Sequence, residues 1–207
     1  MLLRFLILLT CLFVAPFTAN PALAQEFPAL HRVVDVRAGD VLNIRAEPDA
    51  RAEIVGRFDR TQTGIEVIGL SEDRRWGLVR TEERVGWSSM RYLEAERSDS
   101  WIDGRQSLTC MGTEPFWTFH LSLPGNAASY DSLAEGAMTF TTDAPDLPRT
   151  RGPYTLAVPF TGPRNGMVTI RNAVCDDGMS DRLYGLEAQV YWRGRTEGLS
   201  GCCMLGN

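Results

Sequence analysis

Beyond residue 30 the chain never sustains the three-to-four-residue spacing of apolar side chains that an amphipathic helix needs. It runs instead in short alternating segments broken by glycine, proline and aspartate, the pattern of small barrels and sandwiches. No internal repeat or low-complexity tract interrupts it. An all-β chain of this kind fixes its register with turns and cross-links, and four cysteines are placed to help: Cys110, Cys175, Cys202 and Cys203, all after residue 109. A polar stretch from Glu94 to Gly104 precedes them. It divides the chain into a first β-domain at residues 25–96, a linker at 97–104 and a second β-domain at 105–207, an antiparallel barrel or sandwich.

Residues 1–24 read as an export signal, with Arg4, an apolar run from Phe5 to Phe17, and Ala22-Leu23-Ala24 before Gln25. The apolar run is shorter than the ~20 residues that cross hydrocarbon. Thr10 ahead of Cys11 does not suit lipid attachment. After cleavage the chain is therefore expected to be periplasmic or secreted and no integral membrane protein. Cleavage removes Arg4 and leaves 20 arginines against 26 acidic residues, a net charge of −6, which argues against nucleic acid or an anionic membrane as partner.

An even number of cysteines in an exported chain implies two disulfides. Neighbours on a strand point to opposite faces, so Cys202 and Cys203 are expected to bond Cys110 and Cys175, in one order or the other, rather than each other. A zinc site is the weaker reading, because no Cys-x-x-Cys spacing occurs and only His120 could complete it. Neither metal nor cofactor is expected.

The chain contains no lysine, so all 21 basic residues are arginine, and its only histidines are His31 and His120. Schiff-base chemistry, a Walker lysine and a Ser-Lys dyad are thereby excluded. His31, ahead of the first strand, is expected to be exposed, and His120 to point away from the main core. No catalytic constellation results, and the chain reads as non-enzymatic.

In the first half, brief runs at Val34/Val36, Leu42/Ile44, Ile54/Val55, Ile65/Val67, Trp76/Leu78 and Val85/Trp87 alternate with turn signals. Leu42 and Ile44 should face inward and Asn43 and Arg45 outward, with Asn43 bonding backbone at the adjoining turn. Trp76, Trp87, Phe58 and Tyr92 are expected to supply aromatic packing to a core too small to be stable without it. The segments Gly39 to Pro48, Ala52 to Gly56, Gly64 to Val67, Trp76 to Val79, Gly86-Trp87 and Tyr92-Leu93 resemble a bacterial SH3 (SH3b) domain over residues 30–95. The resemblance implies a small β-barrel without a catalytic role that binds peptidoglycan peptides or an envelope protein.

The second half offers seven candidate strands: Ser107 to Gly112, Phe116 to Leu123, Gly136 to Thr142, Tyr154 to Phe160, Met167 to Ala173, Leu183 to Trp192 and Thr196 to Cys203. Two segments stand out, Cys110-Met111-Gly112-Thr113-Glu114-Pro115-Phe116-Trp117 and Cys175 to Tyr184. With the Gly201-Cys202-Cys203 ending they resemble a family of proteobacterial envelope proteins, some of them lipoproteins, that carries no established activity. Glu114, Trp117, Asp177, Ser180, Asp181, Arg182 and Tyr184 are the candidate ligand-binding residues. Drawn together by disulfides they would line a polar pocket, with Glu114 and Asp181 as an acid/base pair of a carboxylate-based hydrolase. The plainer reading, favoured here, is local: Asp176-Asp177-Gly178 as a turn, Ser180 capping it, and Asp181 and Arg182 pairing with each other or with solvent. A third possibility is an inhibitor that inserts the Asp176 to Asp181 loop into an envelope enzyme. Asp176, Asp177 and Asp181 lack the alternating ligand spacing of a calcium-binding EF-hand loop.

Overall fold

The computed structural model describes residues 27–82, 84–96, 100–146 and 154–206. The export signal and residues 97–99 of the linker lie outside that set. The described chain is all-β, in two regions.

The first region is a seven-stranded antiparallel sheet. Its strands are β1 (Ala29–Val33), β2 (Val41–Arg45), β3 (Ile54–Asp59), β4 (Ile65–Leu70), β5 (Trp76–Arg80), β6 (Val85–Ser89) and β7 (Leu93–Ala95), in the order β3-β2-β6-β5-β4-β1-β7. Val33, Leu42, Ile44, Phe58, Ile65, Val67, Val79 and Leu93 gather in one cluster. Six of the seven strands contribute to it, so the sheet curls around its own core. Leu42 and Ile44 point inward as their alternation requires.

The tryptophans do the reverse of what was expected. On β5 and β6 the buried positions are Gly77, Val79, Gly86 and Ser88, and alternation sends Trp76 and Trp87 to the other face. The cause is lack of room. A Cβ at Gly86 would lie 2.6 Å from Ile44 Cγ2, and one at Gly77 2.7 Å from Met90 Sδ. At Gly86 the Arg45 carbonyl oxygen also lies 2.9 Å from that Cβ and only glycine fits, while at Gly77 the Met90 side chain would have to give way; the large neighbours of both glycines face out.

His31 is also misplaced by sequence reasoning: it is fully buried. Strand β1 begins five residues earlier than the Val34 run suggested and is flanked by strands on both sides. His31 lies opposite Ile65 of β4 and Ala95 of β7. Its ring stacks on Phe27 with centroids 6.2 Å apart, and Nδ1 lies 3.0 Å from the Ala29 carbonyl oxygen. Burial lowers its pKa, against the opposing pull of that carbonyl and of Glu96.

The second region is a closed antiparallel barrel of eight strands. In chain order these are β8 (Leu108–Thr113), β9 (Phe116–Ser122), β10 (Ala127–Ser132), β11 (Met138–Thr142), β12 (Thr155–Thr161), β13 (Gly166–Asp176), β14 (Leu183–Trp192) and β15 (Leu199–Leu205). They close as β10-β11-β12-β13-β14-β15-β8-β9. The eighth strand is β10, Ala-Ala-Ser-Tyr-Asp-Ser, whose small and polar residues carry little strand propensity. It forms because Ala128, Tyr130 and Ser132 fill the inner face between Phe119 and Phe140. Eight strands give an interior just wide enough for side chains to fill. Phe119, Tyr130, Phe140, Phe160 and Trp192 fill it, with ring centroids 4.9 to 6.0 Å apart. Each such ring contributes about 2 kcal/mol by burial, and aromatic pairing adds about 1 kcal/mol per pair. Trp101, within the stretch read as a linker, is buried in this core as well.

Two disulfides fix the register at β15. Cys203 faces inward directly opposite Cys110 of β8, with Cα atoms 3.9 Å apart. Cys202, on the opposite face of the strand, reaches Cys175 of β13, with Cα atoms 5.5 Å apart. Alternation along one strand thus serves two different cross-links, which selects one of the two connectivities left open by the sequence. His120 points outward from β9 and shares a 3.0 Å hydrogen bond with Thr109 Oγ1.

Candidate functional site

The Cys175 to Tyr184 segment forms a turn held by hydrogen bonds within the segment, although the buried Arg182 Nε has no hydrogen-bond partner among the described residues. Asp177 Oδ1 accepts the N–H groups of Met179 and Ser180 at 3.0 and 2.9 Å, and Oδ2 accepts the Ser180 hydroxyl at 2.8 Å. Asp176 Oδ1 accepts the Gly178 N–H at 2.8 Å, and Ser180 Oγ accepts the Arg182 N–H at 3.2 Å. Thr113 donates its hydroxyl to the Asp177 carbonyl at 3.0 Å, clipping the turn to the end of β8. Burial pushes the Asp177 carboxyl up. The three donors from Met179 and Ser180, aided by the charge of Arg182, outweigh it and hold the group below its ordinary value.

A cleft of about 490 Å³ lies between this turn and the β8–β9 connection, lined by Met111, Thr113, Glu114, Cys175, Asp177 and Met179 among others. It brings Glu114 and Asp177 together. Asp181 does not line it, so Glu114 and Asp181 share no cavity here. Trp117 points into the barrel rather than the cleft and is 2% exposed. Its ring crosses Gly112 and Gly201, where an added Cβ would lie 2.2 Å from Nε1 and 2.8 Å from Cζ2 respectively. Those glycines are the room Trp117 occupies.

Asp181 and Tyr184 meet the first region instead. Asp181 forms an isolated parallel bridge with Arg84. Tyr184 is buried, with the Arg80 guanidinium 5.0 Å above its ring. Arg80 donates to Glu66 Oε2 at 2.8 Å, and the same oxygen accepts the Leu205 N–H at 3.1 Å. Strand β4 is consequently buried on both faces through Ile65, Glu66, Val67 and Ile68. Burial raises the Glu66 pKa, against the nearby Arg80 charge and the Leu205 N–H, which favour the carboxylate. The segment singled out in the sequence therefore braces the joint between the two regions.

A second cleft, of about 530 Å³, lies on the first region and was not foreseen. Asp35, Arg37, Asp40, Asn43, Trp76 and Tyr92 line it, with Arg45 and Arg91 beside them. Asn43 does not bond the adjoining turn as expected; its side chain contacts this groove and donates no hydrogen bond among the described residues. Arg45 is held in place by donating to the Ala52 carbonyl at 2.7 Å, and Arg91 lies over the Tyr92 ring at 5.5 Å. An aromatic ledge flanked by both signs of charge can grip a peptide carrying amino and carboxylate groups. The signal that could have revealed it is the pairing of Trp76 with the inward glycine Gly77.

Among the described residues no group of three or more His, Cys, Asp and Glu side chains is placed to hold a metal ion. Comparison with protein-family models, with curated proteins and with solved structures finds no match to this chain.

Proposed function

We propose that this is an exported, non-enzymatic binding protein whose first region is an SH3b-type module holding peptidoglycan peptides or an envelope protein. The second region is its disulfide-braced support in the periplasm or outside the cell. The observation that carries this reading is the groove over Trp76 and Tyr92 with Asp35, Asp40, Arg37 and Arg91 on its margins. Wall stem peptides present free amino and carboxylate groups on short aliphatic chains, which suits aspartate and arginine set beside aromatic rings. Two disulfides are compatible with an oxidising compartment. Among the described residues no helix is long and apolar enough to cross a membrane.

Co-sedimentation of the full chain with purified sacculi tests the proposal. The wild-type chain is expected in the pellet and Trp76→Ala in the supernatant, with unchanged circular dichroism. Failure of the wild type to sediment, or equal sedimentation of the variant, overturns wall binding through this groove.

One observation favours a second reading, the inhibitor. The Asp176 to Asp181 turn is rigidly braced, yet its Met179 is 66% exposed. Capture of an envelope enzyme that is lost on Met179→Asp and retained on Trp76→Ala would select this reading over the first.

A further inference from the structure

We propose that the joint between the two regions is a proton-controlled contact, which tightens when Glu66 takes up a proton and loosens when the carboxylate is ionised. Among the described residues Glu66 is the one buried acidic side chain, and it stands where the regions meet. Its neighbour across the sheet in β1 is Leu30, which packs against the core of the second region. Arg80 approaches from β5, Leu205 and Met204 from β15, and Tyr184 from β14 with its ring under the Arg80 guanidinium. Of the groups that face Glu66, Arg80 alone carries a charge.

The joint satisfies only half of an ionised carboxylate. Glu66 Oε2 accepts from Arg80 Nη2 at 2.8 Å and from the Leu205 N–H at 3.1 Å. Its Oε1 is buried and accepts from no donor among the described residues, and Arg80 Nη1 is buried and donates to none. A fully engaged guanidinium and carboxylate form two parallel bonds; this pair forms one, too little to offset taking the charge out of water. Burial accordingly raises the Glu66 pKa above its ordinary 4.5, although Arg80 and the Leu205 N–H oppose the shift. A proton removes the charge and leaves Oε2 free to accept both donors. Arg80 keeps the face of the Tyr184 ring, 5.0 Å from its guanidinium, and its side chain, 18% exposed, borders an open cleft on the first region. With the regions apart, Glu66 lies on the outer face of β4, opposite to Ile65 and Val67 of the core, and titrates at its ordinary value. Closing the joint therefore takes up a proton at any pH between 4.5 and the raised value. The contribution is fully present below 4.5 and is lost as pH rises through the raised value, the opposite sign to the buried His31. This contact is separate from the groove over Trp76.

Amide exchange of the full chain from mildly acidic to mildly basic pH tests the assignment. It is read at Leu205, whose N–H bonds Glu66, relative to amides of β10 in the same barrel, which cancel the ordinary dependence of exchange on pH. Leu205 protection is expected to be greatest near pH 4.5 and to fall by up to about tenfold per pH unit as Glu66 ionises. Glu66→Gln, which keeps the shape and the acceptor without the charge, should hold Leu205 at its acid-side protection throughout, and His31→Gln should leave the wild-type dependence in place. Protection that is flat or rises with pH, a Glu66→Gln variant with the wild-type dependence, or loss of that dependence in His31→Gln overturns the proposal. Carbon-13 titration of the Glu66 carboxyl in the wild-type chain gives a reading that needs no variant to fold: a midpoint above 4.5 is expected, and one at or below 4.5 overturns the proposal.

Discussion

Trp101, Trp117 and Trp192 lie inside the core of the second barrel, whereas Trp76 and Trp87 stand outside the core of the first sheet. The two regions enclose their cores by opposite means. Among the described residues the second gathers a 21-residue cluster with five packed aromatic rings and the Cys110–Cys203 disulfide inside it, and carries a second disulfide on its outer face. The first has an eight-residue cluster with Phe58 as its one aromatic member and no cysteine. Its interior is so tight that glycine occupies inward positions on β5 and β6. Aromatic residues excluded from a small core become available as a surface for ligands, and those admitted to a large one become structure.

Breaking the inner disulfide should separate the two regions most strongly. Cys110–Cys203 closes a separation of 93 residues and Cys175–Cys202 one of 27. In the chain-entropy model these contribute about 4.6 and about 3.5 kcal/mol respectively. Replacing Cys110 and Cys203 by alanine should therefore lower amide-exchange protection in β8 and β15 far more than in β2 or β5. Equal loss in both regions would mean that they unfold as one unit.

Next in size is the aromatic core itself. Phe119→Ala, at the centre of the ring cluster, is expected to cost about 3–5 kcal/mol, read as a shift in the urea midpoint of the second region. Smaller, and in the other region, is Gly86→Ala, which forces a methyl group to 2.6 Å from Ile44 Cγ2 and 2.9 Å from the Arg45 carbonyl. Overpacking of this kind costs about 1–3 kcal/mol. A neutral Gly86→Ala would contradict the explanation given for the outward tryptophans.

The smallest effect is a pH dependence confined to the first region. His31 titrates below its ordinary value of 6.5 because it is buried. The unfolded chain therefore binds the proton more readily than the folded one. The stability contributed by neutral His31 is present above pH 6.5 and is lost as pH falls through the lowered pKa. His31→Gln should flatten the acid limb of the first region's unfolding curve, measured by amide exchange between neutral and mildly acidic pH. An unchanged limb would place the acid sensitivity elsewhere.

Much of this fold was legible in the sequence, and the exceptions share a physical character. Alternation of Leu42 with Ile44, and of Trp117, Phe119 and Leu121, reads directly as inward faces, and the Cys202-Cys203 pair as two cross-links. Strand β10 was missed because Ala128 and Ser132 are small, and only barrel closure gives them neighbours. His31 was misread because the two strands that bury it come from residues about 35 and 65 positions further on in the chain. The candidate site was legible only in part. Asp177 and Ser180 hydrogen-bond within their own turn. Glu66 and Arg80 gave no signal, since the Leu205 N–H that Glu66 accepts is 139 residues away.

The division of labour between an outward aromatic groove and an inward aromatic core meets its most direct test in amide chemical-shift mapping of the full chain titrated with soluble wall stem peptides. Shifts should concentrate at Asp40 to Arg45, at Trp76 and at Ser89 to Tyr92, leaving Phe119, Phe160 and the Cys175 to Tyr184 turn unmoved. Shifts centred on the second barrel, or none at saturating peptide, would contradict it.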